Sequence, residues 1–387
     1  MQPSTTTKIA LQGADVLTPA DWLRDATVLI EEGRFIQIDQ TSKPSGFVAI
    51  DVTGLQMLPG IVDIHGDAFE RMICPRPGVN FPLEIAITEN DRTLLAAGIT
   101  TFYYSITDSF EPGLRSRDTA RKLIDTILHQ SLNLKVDSRI HIRHEQSNTE
   151  HHEELCEWLE NGTVHLLSLN NHVPDATDDA TLTRYTKGLQ QRIKLSLPEI
   201  RSLVEAAITR QDEGLHQIEH LVEQAHRLGI PVASHDDESE ADVALSKRRQ
   251  VAIAEFPASI ELAAKSHEYG ASVLMGAPNL IRGGSHVGYM SVAAAAEARV
   301  LDCLCSDYHY PSLFHAPFKM AEMGLMPFEE SWKLVSTHPA KAAEIGDRKG
   351  AIAAGLDADF LLVKPGYTLP SAIASIYIQG REVARHA

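Results

Sequence analysis

Six side chains able to hold a metal or move a proton stand at the ends of apolar runs: His65, Asp67, Glu145, His172, His235 and Asp307. The first run, Leu58-Pro59-Gly60-Ile61-Val62-Asp63-Ile64-His65-Gly66-Asp67, reads as a buried strand closing on two metal-capable groups. Strand side chains alternate, so His65 and Asp67 face the same way where the strand opens into a loop. Ile140 to Glu145, Val164 to His172, Pro231 to Asp236 and Leu301 to Asp307 end in the same manner. Imidazole and carboxylate donors without cysteine suit one or two divalent ions in a catalytic site, zinc first, with manganese or iron also accepted. A carboxylate such as Glu145, set between two histidine-bearing subsites, would bridge a metal pair about 3.5–4 Å apart. A water acidified by the metal would be the nucleophile, and Asp307 would orient it and take its proton as general base.

Each residue alone has a plainer reading. A single histidine after a strand is more often a satisfied polar group, and a single aspartate there commonly caps the next helix. Asp236, Asp237 and Glu238 read as such an N-cap and solvated first turn. Arg143 falls out of phase with His144 and reads as structural. The joint pattern outweighs these alternatives, because independent accidents would not place every group at a strand end.

The elements that must position these groups alternate between strand and helix. Strand-like runs occur at 61–65, 99–105, 139–144, 164–169, 230–234, 251–255, 272–276 and 303–306, separated by helical patterns such as 114–130, 197–228 and 257–269. Eight alternations predict a (β/α)8 TIM-type barrel, an α/β fold whose chemistry sits at the C-terminal ends of the strands. Short strands and tight turns fill the first ~57 residues and the tail. The expected organisation is a barrel over 59–345 and a small composite β-sandwich made by 1–58 and 346–387. Loops 174–187 and 281–289 are placed to cover the site.

At 387 residues, with 43% apolar and 22% charged side chains, the chain suits a globular protein with a large core. The net charge of −17 argues against nucleic acid or an anionic membrane as partner. No apolar run reaches the ~18 residues of a spanning helix. The four cysteines lack C-x2-C pairing and no secretory signal is apparent, so a cytoplasmic location is expected. The sequence leaves open whether the chain forms a homo-oligomer.

Leu58-Pro59-Gly60 through His65-x-Asp67, Ser234-His235, Ser306-Asp307, Thr337-His338-Pro339-Ala340-Lys341-Ala342 and Lys349-Gly350-x-Ile352 resemble the amidohydrolase superfamily of metal hydrolases. Within it, His65-Gly66-Asp67-Ala68-Phe69-Glu70-Arg71, Ile142-Arg143-His144-Glu145, Ala277-Pro278-Asn279-Leu280-x-Arg282-Gly283-Gly284-Ser285-His286 and Cys305-Ser306-Asp307-Tyr308 resemble the diphosphatases of the carbon–phosphorus lyase pathway. That resemblance implies hydrolysis of a phosphorylated sugar, α-D-ribose 1-methylphosphonate 5-triphosphate, to the 5-phosphate and diphosphate. Arg282 would fork onto phosphate oxygens, and Gly283-Gly284 would let backbone N–H groups approach them. Ser285, His286 and His309 complete the expected substrate contacts. Val287-Gly288-Tyr289 and Val173-Pro174-Asp175 depart from the subfamily pattern in these loops. The competing reading is an amidohydrolase acting on a cyclic amide, N-acyl or carbamoyl compound.

Overall fold

Strands buried on both faces need near-continuous apolar runs, and Ile99-Thr-Thr-Phe-Tyr-Tyr-Ser-Ile is one, buried over its first eight positions. The computed structural model describes residues 8–40, 45–76, 78–174, 178–190, 193, 195–284, 288–366 and 372–385. The N-terminal segment forms β1 (Ile9–Leu17), β2 (Trp22–Glu31), β3 (Arg34–Asp39), β4 (Val48–Asp51) and β5 (Gln56–Pro59). Next come β6 (Ile61–Gly66), β7 (Ile99–Asp108), β8 (Asp137–Glu145), β9 (Leu166–Asn170), β10 (Val232–His235), β11 (Ile253–Glu255), β12 (Ser272–Gly276) and β13 (Cys303–Cys305). The tail adds β14 (Phe360–Val363), β15 (Ile373–Ile378) and β16 (Arg381–Arg385).

Strands β6 to β13 pair in sequence order, all parallel, with helices between them. This is the (β/α)8 barrel. Val62, Ile64, Tyr103, Leu166, Ala233, Ile253, Leu274, Cys303 and Cys305 share one buried cluster, and a larger cluster fills the layer between strands and helices.

The ring closes by a narrow seam. Gly66 and Asp307 form an isolated parallel bridge: Asp307 N–H donates to His65 O at 3.0 Å, and Asp67 N–H donates to Asp307 O at 3.0 Å. Below it the buried Asp63 carboxylate accepts from Ser306 N–H at 3.1 Å, a side chain taking the place of a ladder carbonyl. The β6–β7 register shifts between Asp63 and Gly66. Bulges re-aim side chains, and His65 turns into the barrel mouth although Ile64 before it already packs inside.

The other sheet runs β16-β15-β14-β5-β1-β2-β3, with β4 beside β1, so both ends of the chain build it. It folds over its own core: Phe35 of β3 meets Phe360 of β14 with ring centroids 5.9 Å apart. Lys349 ties the two bodies together, its buried amine 2.6 Å from Asp359 and 3.2 Å from Asp137 at the start of β8.

At the seam there is no room for another carbon. A Cβ on Gly66 would lie 2.5 Å from the Phe102 ring and 2.8 Å from Ser306 Oγ. Gly66→Ala is therefore expected to cost about 1–3 kcal/mol, the usual range for overpacking a tight interior. Urea unfolding of the two proteins checks this, and an unchanged midpoint would show the seam to be pliable.

Candidate metal centre at the barrel mouth

Glu255, the last residue of β11, lies beneath the mouth with no solvent contact. Its Oε1 is 2.8 Å from His65 Nδ1, and its Oε2 is 2.9 Å from His235 Nδ1 and accepts from Ser168 Oγ at 2.9 Å. Arg143 approaches the far side of His235, Nη2 to Nε2 at 2.7 Å. A guanidinium only donates, so Nε2 is the acceptor and His235 carries its proton on Nδ1, toward Glu255. His141 is pinned likewise: Nδ1 is 3.1 Å from the carbonyl of Ile64, which can only accept. Its Nε2 is left as a buried lone pair with no hydrogen-bond partner, 3.7 Å from Glu255 Oε1.

A bare imidazole nitrogen facing a carboxylate in a dry interior is repulsive unless a cation lies between them, so the donor set fits a divalent metal. His65, His141 and Glu255 converge closely enough to share an ion, as do His172, His235 and Asp236 closer to solvent. Hydrogen bonds link the two groups through Glu255 and His235.

Burial sets the charge states. It presses His65 and His141 down to about 3, so both are neutral at neutral pH. Burial, then the Asp67 charge, lifts Asp307 to about 7; burial lifts Asp63 to about 7 against the hydrogen bonds from Ser306. Burial opposes protonation of His172, but the Glu145 charge and hydrogen bonds to Asp236 and Glu145 outweigh it and raise His172 to about 9. Backbone strain gathers here too. Asp236, Phe256 and Asp307, each just beyond a strand end, hold φ near +55°, a conformation non-glycine residues rarely adopt.

His65, Asp67, His235 and Asp307 line a cavity of about 180 Å³ with Arg143, Asp236 and Tyr289. His172 lies in an adjoining cleft of about 690 Å³ that shares His235, Asp236 and Tyr289. Glu145 lines neither; it is buried and accepts from His172 N–H at 2.6 Å and His172 Nδ1 at 2.9 Å. Glu255, rather than Glu145, lies between His65, His141 and His235, while Glu145 stands against His172. Arg143, read as structural, turns into the mouth, 3.7 Å from Asp67. Asp236-Asp237-Glu238 is not the helix cap: Ser239 caps Glu240–Arg248, Asp237 is buried against Ser234, and Asp236 lines both cavities.

Arg282 ends the helix Ala277–Arg282, with Gly283 as its left-handed C-cap, and donates to the Tyr308 hydroxyl at 3.0 Å. Arg282, Gly283, Gly284 and His309 line neither cavity, His309 being held by Ser312 at 2.8 Å. Ser285 and His286 fall outside the described residues. The chief omission of the sequence reading is Glu255, a carboxylate ending a run already read as a strand. His141 shares the phase of Glu145 on β8 and was open to the same rule.

An eight-stranded parallel barrel with imidazoles and carboxylates around its mouth is the architecture of a hydrolase class, and the family match agrees. Residues 57–383 match the amidohydrolase family, and the chain belongs to it; it is a hydrolase. Over 324 residues it is 32% identical to the α-D-ribose 1-methylphosphonate 5-triphosphate diphosphatase of Escherichia coli (strain K12), covering 81% of this chain and 84% of that protein. Molinate hydrolase shares the fold at a TM-score of 0.65 and 15% identity, over 98% of this chain and 95% of that one. The dihydropyrimidinase of Brevibacillus agri NCHU1002 does so at 0.60 and 14%, again over 98% and 95%.

Two outcomes follow for the metal-free protein. Five histidines (His65, His141, His152, His165, His235) titrate lower folded than unfolded, so their share of the stability is lost on acidification below about 6.5. Asp63 and Asp307, raised to about 7, act oppositely by holding protons in the folded state as pH falls from there. Removing one of these histidines isolates its share: His141→Gln is expected to lose about 2 kcal/mol less stability than the unaltered protein between about pH 6 and 4.5 in urea unfolding, and an unchanged pH profile would refute the buried neutral His141. Glu255→Gln is expected to weaken metal binding about 10–100-fold in chelator competition, the range for losing a group that orients metal-ligating histidines.

Proposed function

We propose that the chain hydrolyses α-D-ribose 1-methylphosphonate 5-triphosphate to α-D-ribose 1-methylphosphonate 5-phosphate and diphosphate. The observation that carries the reading is the 32% identity, sustained over 81% of the chain, to the Escherichia coli diphosphatase of that substrate. Its support in the geometry is a small metal-capable cavity opening into a cleft of about 690 Å³, room for a sugar bearing phosphates. Arg184 lines that cleft with His172, whose raised pKa favours a positive charge, and Arg143 stands at the mouth.

Water attacks the α-phosphorus, the bond to the bridging oxygen breaks, and diphosphate leaves with the electron pair. His65, Asp67, His235 and Asp307 would hold the metal, zinc by the donor set, with Glu255 beneath orienting His65 and His235, His141 beside it, and Glu145 positioning His172. A divalent ion there withdraws charge from phosphoryl oxygens and acidifies water. Asp307, at the mouth beside Asp67, is placed to take the proton of the attacking water. Arg143, 3.7 Å from Asp67, holds that carboxylate and lends positive charge as negative charge spreads over the phosphorus oxygens. Four free cysteines accord with the reducing conditions of a cytoplasmic enzyme.

The metal-loaded protein is expected to release diphosphate from this triphosphate. Asp307→Asn is expected to lower kcat about 10²–10⁴-fold with folding intact, the range for losing a general base. No diphosphate from metal-loaded protein, together with cleavage of a cyclic amide, would overturn the reading in favour of C–N bond hydrolysis.

A further inference from the structure

Away from the mouth, three soft donor atoms meet between two outer helices. His152 and Cys156 stand one turn apart on the helix His152–Glu160, and His220 faces them from the helix Gln211–Leu228. His152 Nε2 is 3.0 Å from His220 Nδ1; Cys156 Sγ is 3.5 Å from the first and 3.8 Å from the second. With Zn–N near 2.05 Å and Zn–S near 2.3 Å, a tetrahedral ion requires ligand edges of about 3.3 Å between nitrogens and about 3.6 Å from nitrogen to sulfur. The three atoms thus already outline one face of such a tetrahedron.

We propose that His152, Cys156 and His220 form a second metal site, binding zinc or a similar borderline-soft divalent ion, separate from the barrel mouth. Two imidazoles and a thiol select against magnesium and calcium, which take oxygen. Binding releases the thiol proton, and water takes the fourth corner, because His220 is exposed. The helix backbones are already held together: Gln224 donates to Cys156 O at 2.9 Å, and Gln217 to Thr149 O at 3.2 Å. The ion therefore meets donors on a firm scaffold.

The position suggests what it does. The second helix follows Leu197–Thr209, which packs through Ile200 and Val204 on Leu182 and Leu189 of the helix whose Thr181, Arg184 and Tyr185 wall the cleft. The second helix begins at Gln211, which accepts from Gln146 and donates to Asn171 Oδ1 at 3.2 Å, beside His172. An ion at this site would staple the base of that wall.

The test is cobalt(II) titration of the full chain, stripped by chelator and kept reduced. None of the donors named at the mouth is a cysteine, so a thiolate-to-cobalt charge-transfer band reports on this site. The band is expected to grow to about one cobalt per chain. Cys156→Ser and His220→Gln, checked for folding by circular dichroism, are each expected to abolish it while leaving cobalt at the mouth. Zinc should raise the Tm of the unaltered protein more than that of Cys156→Ser. Absence of the band at excess cobalt, or its persistence in Cys156→Ser, would overturn the proposal.

Discussion

A carboxylate in a dry interior is costly unless hydrogen bonds and positive charge surround it, and Glu255 is such a group. Two imidazole N–H groups and a serine hydroxyl converge on it. Those bonds choose the tautomers: His65 and His235 carry their protons on Nδ1, leaving Nε2 as the lone-pair nitrogen, which in His235 accepts from Arg143. Charge and geometry at the mouth therefore descend from one acid below it. Arg143 balances the same set from above, donating to His235 and approaching Asp67. Neutral histidines, a raised Asp307 carboxyl and its strained backbone all exist because the surrounding barrel holds them there.

The second constraint is the ring closure. Strands β6 and β13 are joined by a single bridge and by one side-chain acceptor, Asp63, and the bridge lies between His65 and Asp67 on one side and Asp307 on the other. Closing the barrel and assembling the donors are the same event. A glycine is needed at position 66 because Phe102 and Ser306 crowd the seam from outside.

The barrel was legible because parallel strands buried on both faces leave uninterrupted apolar runs. The run 272–276 coincides with β12, and 61–65 falls one residue short of β6. The donors at strand ends were visible for the same reason. What could not be read was which donors face each other around the ring. Alternation gives the face of a strand, whereas neighbours across a barrel depend on stagger and on irregularities such as the β6 bulge. So Glu145, rather than Glu255, was assigned the central place. Arg143 alternates with His144 but shares the phase of His141 and Glu145, and it turns into the mouth. The acidic run 236–238 looked like a helix cap, but the true cap is a serine one residue later, which frees Asp236 for the mouth.

The seam also sets an order of events during synthesis. Asp63 and Ser306 are 243 residues apart, so at about 5–20 residues per second the first barrel strand waits roughly 10–50 s for its closing partner. For that interval His65 and Asp67 belong to an unclosed sheet whose edge can pair with another nascent chain. The groups of the mouth are not all assembled until the eighth strand emerges. A growing chain of this kind is therefore incomplete at its mouth and adhesive at its edge until the ring shuts.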